Sequence, residues 1–159
     1  MDYLSVISHR GNLRGPKPEE ENKPSYIDKA IEEYYEVEAD IRYTEGSFYL
    51  GHDKPEYFVD LYWLKERSDH LIFHCKNREA LLLLKDNYHC FYHGTDPYTL
   101  TSKNKIWTYP NQEVGPDCII VDQCRTSKEK LLEWKKKNCF GVCSDYAAII
   151  SSEILVGVV

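Results

Sequence analysis

Ionisable residues stand at or within short apolar runs in the first third of this 159-residue chain. An apolar core does not tolerate such groups unless they are paired or bound to a metal ion. We therefore predict that residues 7–53 contain an active site. The two histidines, two carboxylates and one arginine concerned are His9, Arg10, Glu38, Asp40 and His52.

The triplet Glu38-Ala39-Asp40 lies in a segment with strand periodicity. Side chains two residues apart on a strand point to the same face, so the two carboxylates lie side by side and repel each other unless a cation neutralises them. Oxygen ligands of this kind suit Mg²⁺, Ca²⁺ or Mn²⁺. The pattern indicates either a divalent metal site or an exposed acidic strand face without a ligand.

These residue types together could cleave a phosphodiester. Arginine offers phosphate a pair of parallel hydrogen bonds and lysine offers a point charge, so Arg10 and Lys76 are candidate phosphate-binding residues. Imidazole titrates near neutral pH, so His9 and His52 are candidates for the general base and the general acid. A divalent ion at the carboxylate pair would stabilise the negative charge that develops during the reaction.

Five short motifs, in their order and spacing, resemble the glycerophosphodiester phosphodiesterase family. The resemblance covers the first third of the chain, and Lys76 and the triplet Ser144-Asp145-Tyr146 are weaker matches further on. It implies a phosphodiester substrate and a divalent metal cofactor. The motifs are His9-Arg10-Gly11, Glu21-Asn22, Glu38-x-Asp40, Thr44-Glu45-Gly46 and His52-Asp53.

The resemblance also implies roles for individual residues. His9 and His52 would be the acid/base pair, Arg10 would bind phosphate, and carboxylates would hold Ca²⁺ or Mg²⁺. Asn22 would support the positioning of phosphate or substrate. Where the family has a third carboxylate on the fourth strand, this chain has His74. As a ligand, His74 would favour Mn²⁺ or Zn²⁺, or leave the metal with an added water; otherwise it is a hydrogen-bonded residue of the site wall.

The sequence therefore predicts a metal-dependent phosphodiesterase for a glycerophosphodiester-like substrate or for a sugar or lipid headgroup phosphodiester. The alternative is an inactive protein that binds a phosphorylated ligand on the same scaffold, because the third carboxylate is missing. Trp107 and Tyr109 share one face of a later strand. They could stack on a sugar ring or pack in the core.

Composition restricts the partners and the location. The net charge of -6 argues against nucleic acid as a partner and against lasting attachment to anionic lipid. The first four residues lack the basic and apolar regions of a secretory signal, and the apolar residues 154–159 are too few to span a bilayer, so we expect a cytoplasmic protein without stable membrane insertion. The six cysteines form no Cys-x-x-Cys pair and are predicted to be buried free thiols.

Apolar and alternating runs predict eight strands and up to five helices. The strands are residues 4–8, 35–43, 47–51, 71–76, 88–93, 106–109, 118–122 and 140–144. The helices are residues 24–34, 57–67, 78–85 and 126–137, with a further one possible from residue 146. The pair Thr126 and Glu129 is predicted to form a capping box at the start of the fourth helix.

This alternation predicts the fold. Eight strands in this chain leave about 20 residues for each, whereas a full (β/α)₈ barrel needs about 250 residues. We therefore expect one α/β domain over residues 1–159, a compact TIM-like (β/α)₈ barrel in which several crossover helices are shortened or missing. Its ligands would bind at the C-terminal ends of the strands. An open α/β sheet is the alternative.

Overall fold

A computed structural model describes residues 3–155 of the chain, which contain ten strands and five helices. The strands are β1 Ser5–His9, β2 Glu36–Thr44, β3 Ser47–Leu50, β4 Tyr57–Val59, β5 Leu71–Cys75, β6 His89–Tyr92, β7 Tyr98–Leu100, β8 Ile106–Thr108, β9 Cys118–Val121 and β10 Gly141–Ser144. The helices are α1 Pro24–Glu32, α2 Leu61–Glu66, α3 Arg78–Leu84, α4 Lys128–Lys136 and α5 Ala147–Leu155.

Seven strands form a parallel sheet in the order β6-β5-β2-β1-β10-β9-β8. The hairpin β3-β4 extends the C-terminal half of β2 in antiparallel fashion, and β7 pairs antiparallel with β8. Since all seven parallel strands end at the same edge, side chains near their C-termini meet there. This mixed α/β class confirms the predicted class.

The sheet is curled, because residues from its two ends meet. Phe91 of β6 stacks on Trp107 of β8 with 4.5 Å between the ring centroids. The N–H of Ser102, after β7, donates to the carbonyl of Cys90 at 2.9 Å. Within residues 3–155 no strand ladder joins β6 to β7 or β8, so the closed barrel stays a prediction.

The curled sheet has an apolar core on each face. The outer face packs against helices, as where Ile27 of α1 and Ala80 of α3 are buried with Val37 of β2. The concave face encloses a second cluster, contributed by six of the parallel strands: Ile7, Ile72, Phe91, Trp107, Ile119, Val121 and Cys143. Trp107 thus belongs to the core, which decides between the two roles predicted for it.

The connections explain the small size of the domain. In residues 85–127 the chain passes from β6 to β9 without a helix. The prediction that crossover helices are missing is therefore confirmed. None of the five helices in the described part of the chain has the length and apolarity needed to cross a bilayer.

Three local predictions were wrong. Residues 57–59 form β4, so the helix predicted from residue 57 begins at Leu61, where the Asp60 side chain accepts a hydrogen bond from the N–H of Trp63. Strand β7 lies in a segment predicted to be a loop. Helix α4 is capped by Ser127, because Thr126 donates its hydroxyl hydrogen to Asp122 instead.

The contact between β6 and β8 gives a prediction about stability. Trp107→Ala should lower the free energy of unfolding by about 3–5 kcal/mol, because the large ring is 2% exposed and fills the concave core. Trp107→Phe retains stacking on Phe91 and should cost less. Urea denaturation followed by circular dichroism measures both. Wild-type stability for Trp107→Ala would show that this ring does not hold the curled sheet.

Candidate active site

The pairing register brings the predicted residues together. On neighbouring parallel strands, His9 of β1 is paired with Glu38 of β2, and Asp40 of β2 is paired with His74 of β5. Glu38 and Asp40 are two residues apart, so all four side chains lie on the same, concave face. The site therefore lies at the C-terminal ends of β1 and β5 and beside the middle of β2.

Glu38, Asp40 and His74 form a compact group of possible ligands, each with one atom within 4.8 Å of the others. His74 Nδ1 lies 3.3 Å from Asp40 Oδ1 and 3.7 Å from Glu38 Oε1. Three polar atoms of this group, Glu38 Oε2, Asp40 Oδ1 and His74 Nε2, are buried without a hydrogen-bond partner. Buried polar atoms are rarely left unpaired. This arrangement could hold a divalent metal ion.

Two cationic side chains lie beside the same carboxylates. Arg10 Nε is 2.8 Å from Asp40 Oδ2, and Arg10 Nη1 donates to Glu21 Oε2 at 3.1 Å. Lys76 Nζ is 3.6 Å from Asp40 Oδ1. Both cations are mostly buried, with 17% and 19% of their side chains exposed. An anion that reached this end of the sheet would therefore meet two positive charges.

Asn22 is joined to Asp40 by two hydrogen bonds. Its Nδ2 donates to Asp40 Oδ2, and its Oδ1 accepts from the Asp40 backbone N–H, both at 2.9 Å. The Asn22 N–H donates to the carbonyl of Arg10, and both residues have left-handed backbone conformations, with φ of 64° and 55°. These contacts orient Asp40. Direct positioning of substrate by Asn22 stays a prediction.

His9 has a partner that lies far away in the sequence. Its Nδ1 is 2.7 Å from Asp145 Oδ1, just after β10, and Nε2 on the opposite side of the ring is 3.8 Å from Glu38 Oε2. Asn12 Nδ2 donates to Asp145 Oδ1 and to Glu21 Oε1, each at 2.8 Å. The bond to Asp145 fixes the ring and favours a proton on Nδ1, which leaves Nε2 available as a base.

His52 lies at the rim. The N–H of Gly51 donates to the carbonyl of Asp40 and Arg42 donates to the carbonyl of His52, so the turn is fixed beside β2. Gly51 has φ of 140°, and a Cβ there would overlap the carbonyl oxygen of Lys54. The His52 imidazole is 43% exposed and bonds Asp53 at 2.7 Å. Within residues 3–155 no hydrogen bond or ion pair joins this imidazole to Glu38 or Asp40. The role of His52 as the general acid therefore stays a prediction.

His93, directly after β6, lies close to His74. Its ring stacks on Tyr109 with centroids 3.8 Å apart, and its centroid lies 6.0 Å from that of His74. Its Nδ1 is 3.5 Å from Asp96 Oδ2. Tyr109 is therefore covered on one side by an imidazole. Together His93 and Tyr109 form a wall of the site above the Phe91 and Trp107 stack.

The two carboxylates of β2 differ in acidity. Burial would raise the pKa of Asp40, but the imidazole of His74, the guanidinium of Arg10 and the amide of Asn22 outweigh it and hold the pKa far below its usual value. Burial, with the charge of Asp40 added, raises the pKa of Glu38 to about 7. Asp40 is therefore ionised throughout the neutral range, whereas Glu38 is partly protonated near pH 7.

The two histidines of the group differ as well. Burial would lower the pKa of His9, but its hydrogen bond to Asp145 and the charge of Glu38 outweigh the burial and raise it. Burial lowers the pKa of His74 despite the nearby carboxylate of Asp40. His9 is suited to accept and hold a proton, and His74 is suited to present a neutral ring nitrogen.

Carboxylates are concentrated in this region. They are Glu21, Glu38, Asp40 and Asp145, and the basic side chains beside them are His9, Arg10 and Lys76. The buried atoms of Glu38, Asp40 and His74 that lack a hydrogen-bond partner are consistent with a bound dication.

Sequence reasoning missed the roles of Asn12 and Asp145 in orienting His9. The sequence indicates for Asp145 a weaker motif match and a position at the C-terminal end of a predicted strand, where ligands are expected. Asn12 carries no signal, because an asparagine after His-Arg-Gly is common in a loop. Asn12 and Asp145 are 133 residues apart in the sequence, so their hydrogen bond is visible only in the folded chain. The pairing of β1 with β10 brings them together.

The raised pKa of Glu38 gives a prediction about pH. Between pH 4.5 and about 7 the folded chain binds more protons at Glu38 than the unfolded chain does, so this group makes the free energy of unfolding fall as pH rises. In metal-free protein, Glu38→Gln should remove a decrease on the order of 1–3 kcal/mol across that window. Chemical denaturation at pH 5 and pH 8 measures the difference between wild type and variant. If the free energy of unfolding changed equally between pH 5 and pH 8 in the two proteins, the raised pKa of Glu38 would be contradicted.

No family model, curated protein or solved structure matches this chain. The comparisons therefore assign neither a family nor a function. The resemblance to glycerophosphodiester phosphodiesterases consists of the ordered motifs alone.

Proposed function

We propose that this protein is a metal-dependent phosphodiesterase of the glycerophosphodiester phosphodiesterase type, with the site at the C-terminal end of a TIM-like barrel. The observation that carries the proposal is the convergence of a possible metal site, two cations and an oriented histidine within one concave surface. Glu38, Asp40 and His74 form the possible metal site, and His9, which is hydrogen-bonded to Asp145, is the oriented histidine. Each component answers a separate need of phosphodiester cleavage.

The first need is to neutralise charge. A phosphodiester is an anion, and its transition state carries more negative charge on the phosphoryl oxygens. Arg10 and Lys76 lie beside the carboxylate group with nitrogen atoms 2.8 Å and 3.6 Å from Asp40. A divalent ion, Mg²⁺, Ca²⁺ or Mn²⁺, held by Glu38, Asp40 and His74 would supply Lewis-acid stabilisation of the same oxygens.

The second need is a base. His9 Nδ1 is occupied by Asp145, which keeps the basic Nε2 directed into the site near Glu38. Nε2 can take the proton from an attacking hydroxyl of the substrate or from water. The carboxylate of Asp145 then stabilises the imidazolium that forms, and the raised pKa of His9 follows from the same contact.

The third need is an acid for the leaving oxygen, and His52 is the proposed donor. The rigid turn at Gly51 presents the imidazole at the rim, where a leaving group directed towards solvent would pass. Asp53 contacts one ring nitrogen, and in the imidazolium form of His52 the other ring nitrogen carries the proton that the leaving oxygen would receive. The open rim suits a glycerol, sugar or lipid headgroup as the leaving group.

A second candidate function is binding of an intact phosphorylated ligand without turnover. The observation that favours it is the position of His52, which contacts Asp53 rather than Glu38 or Asp40. A site with one oriented histidine and two cations could bind a phosphate tightly and cleave it slowly.

We expect hydrolysis of a chromogenic phosphodiester or of glycerophosphodiesters in the presence of divalent metal, with loss of turnover in chelator. His9→Ala should lower kcat by about 10²–10⁴, because general acid–base catalysis contributes that factor. His70→Ala, an exposed histidine at the opposite end of β5, is the matched control and should retain wild-type rates. Equal activity of the His9 and His70 variants would refute the proposed role of His9.

His52 separates the two candidate functions. For an enzyme, His52→Ala should lower kcat with KM changed by less than about threefold, because the proposed acid acts in the transition state. A leaving group of low pKa, such as nitrophenol, should partly rescue this variant. Calorimetry with an intact glycerophosphodiester supplies the second readout. Metal-dependent binding with no product after prolonged incubation of wild type would favour the binding protein.

A further inference from the structure

We propose that the ion of this site is a first-row transition metal such as Mn²⁺, Fe²⁺ or Zn²⁺, bound directly by a ring nitrogen of His74, and that His74 selects it over Mg²⁺ and Ca²⁺. This inference rests on the metal site of the proposed function and adds the chemical class of the ion. Its basis is the donor set, the fixed ring of His74 and the chemistry of the surrounding residues.

The donor set consists of two carboxylates and one imidazole. Glu38 and Asp40 are 1% and 0% exposed, and each has a buried oxygen without a hydrogen-bond partner. Imidazole nitrogen binds transition ions well and adds little for Mg²⁺ or Ca²⁺, which prefer oxygen. A mixed nitrogen and oxygen set of this kind therefore favours the transition ions.

The ring of His74 is held in the orientation that a ligand requires. It stacks on Phe91 with centroids 4.7 Å apart and planes inclined by 17°. Nδ1 is thereby held 3.3 Å from Asp40 Oδ1 and 3.7 Å from Glu38 Oε1. Two ligands bound at about 2.1 Å to one tetrahedral ion stand about 3.4 Å apart, so these separations fit a shared ion of that size.

The surroundings disfavour calcium in particular. Ca²⁺ takes six to eight oxygen ligands. Here the groups next to the two carboxylates are hydrogen-bond donors or cations, namely Arg10 and Lys76, which cannot ligate a metal. The free oxygen of Asp40 and the two of Glu38 supply too few ligands, whereas three protein ligands suffice for a transition ion whose remaining positions stay open to substrate or water.

The test compares metal binding by wild type and by His74→Glu, which exchanges the nitrogen donor for an oxygen donor at the same position. Calorimetry on chelator-treated protein gives the dissociation constants for Mn²⁺, Zn²⁺, Mg²⁺ and Ca²⁺. We expect the Mn²⁺-to-Mg²⁺ affinity ratio to fall by at least about tenfold in His74→Glu. His70→Glu makes the same exchange at an exposed histidine and should leave the ratio unchanged.

Pulsed electron paramagnetic resonance of the Mn²⁺-loaded protein gives a readout that does not depend on affinity. Wild type should show hyperfine coupling to a directly bound imidazole nitrogen, and His74→Glu should lose it. Absence of that coupling in wild type, or an unchanged affinity ratio in a folded His74→Glu, would overturn the inference.

The outcomes separate this inference from the proposed function. Nitrogen-coupled metal without hydrolysis of any phosphodiester would leave the inference standing and contradict the enzyme. Metal-dependent hydrolysis with Mg²⁺ preferred and no nitrogen coupling would do the reverse. Folded wild-type protein that binds none of the four ions would overturn both the inference and the metal dependence of the proposed enzyme.

Discussion

The burial of two like charges on one strand is the constraint on which this structure depends. Glu38 and Asp40 point to the same face of β2 and are almost fully buried, which is unfavourable unless other groups compensate. The neighbouring residues supply that compensation. Arg10 and Asn22 contact Asp40 from the turns after β1, and His74 approaches both carboxylates from β5. The shape of the site follows from this requirement.

The curled parallel sheet makes the compensation possible. Parallel pairing of β1, β2 and β5 sets the register of these strands. Side chains that share a face on each strand, such as His9, Glu38 and His74, therefore lie close together. Phe91, the register partner of His74 on β6, stacks on the His74 ring and packs on Trp107. Packing against an aromatic ring thus holds the polar side chain of His74 in place, so the concave core and the candidate site share residues.

Conformation in the loops completes the arrangement. Arg10 and Asn22 both have positive φ, a conformation that non-glycine residues seldom adopt and that clusters at functional sites. Asn22 is held by its hydrogen bonds to Asp40 and to the carbonyl of Arg10, and Arg10 is held by its ion pair with Asp40. The imidazole of His52, by contrast, is 43% exposed and contacts only the neighbouring Asp53 among the described side chains. The site therefore combines a buried interior with an exposed rim.

Much of the fold could be predicted from the sequence. Alternation and apolar runs are local signals, and they identified eight of the ten strands as well as the missing helices between β6 and β9. Strands β4 and β7 have three residues each and carry exposed side chains, whereas the equally short β8, which was predicted, is more buried. The predicted capping box was wrong because Ser127 and Thr126 are adjacent and both residue types can cap a helix. Thr126 bonds Asp122 instead, so Ser127 caps the helix.

The site divides in the same way. Strand periodicity is a property of the backbone, so the sequence suffices to predict that Glu38 and Asp40 share a face. Three contacts could not be predicted in this way: that of His74 with Asp40, that of Asp145 with His9 across 136 residues, and that of Asn22 with Asp40. They depend on strand order, register and chain curvature, which are set by long-range packing and are not encoded in local sequence patterns.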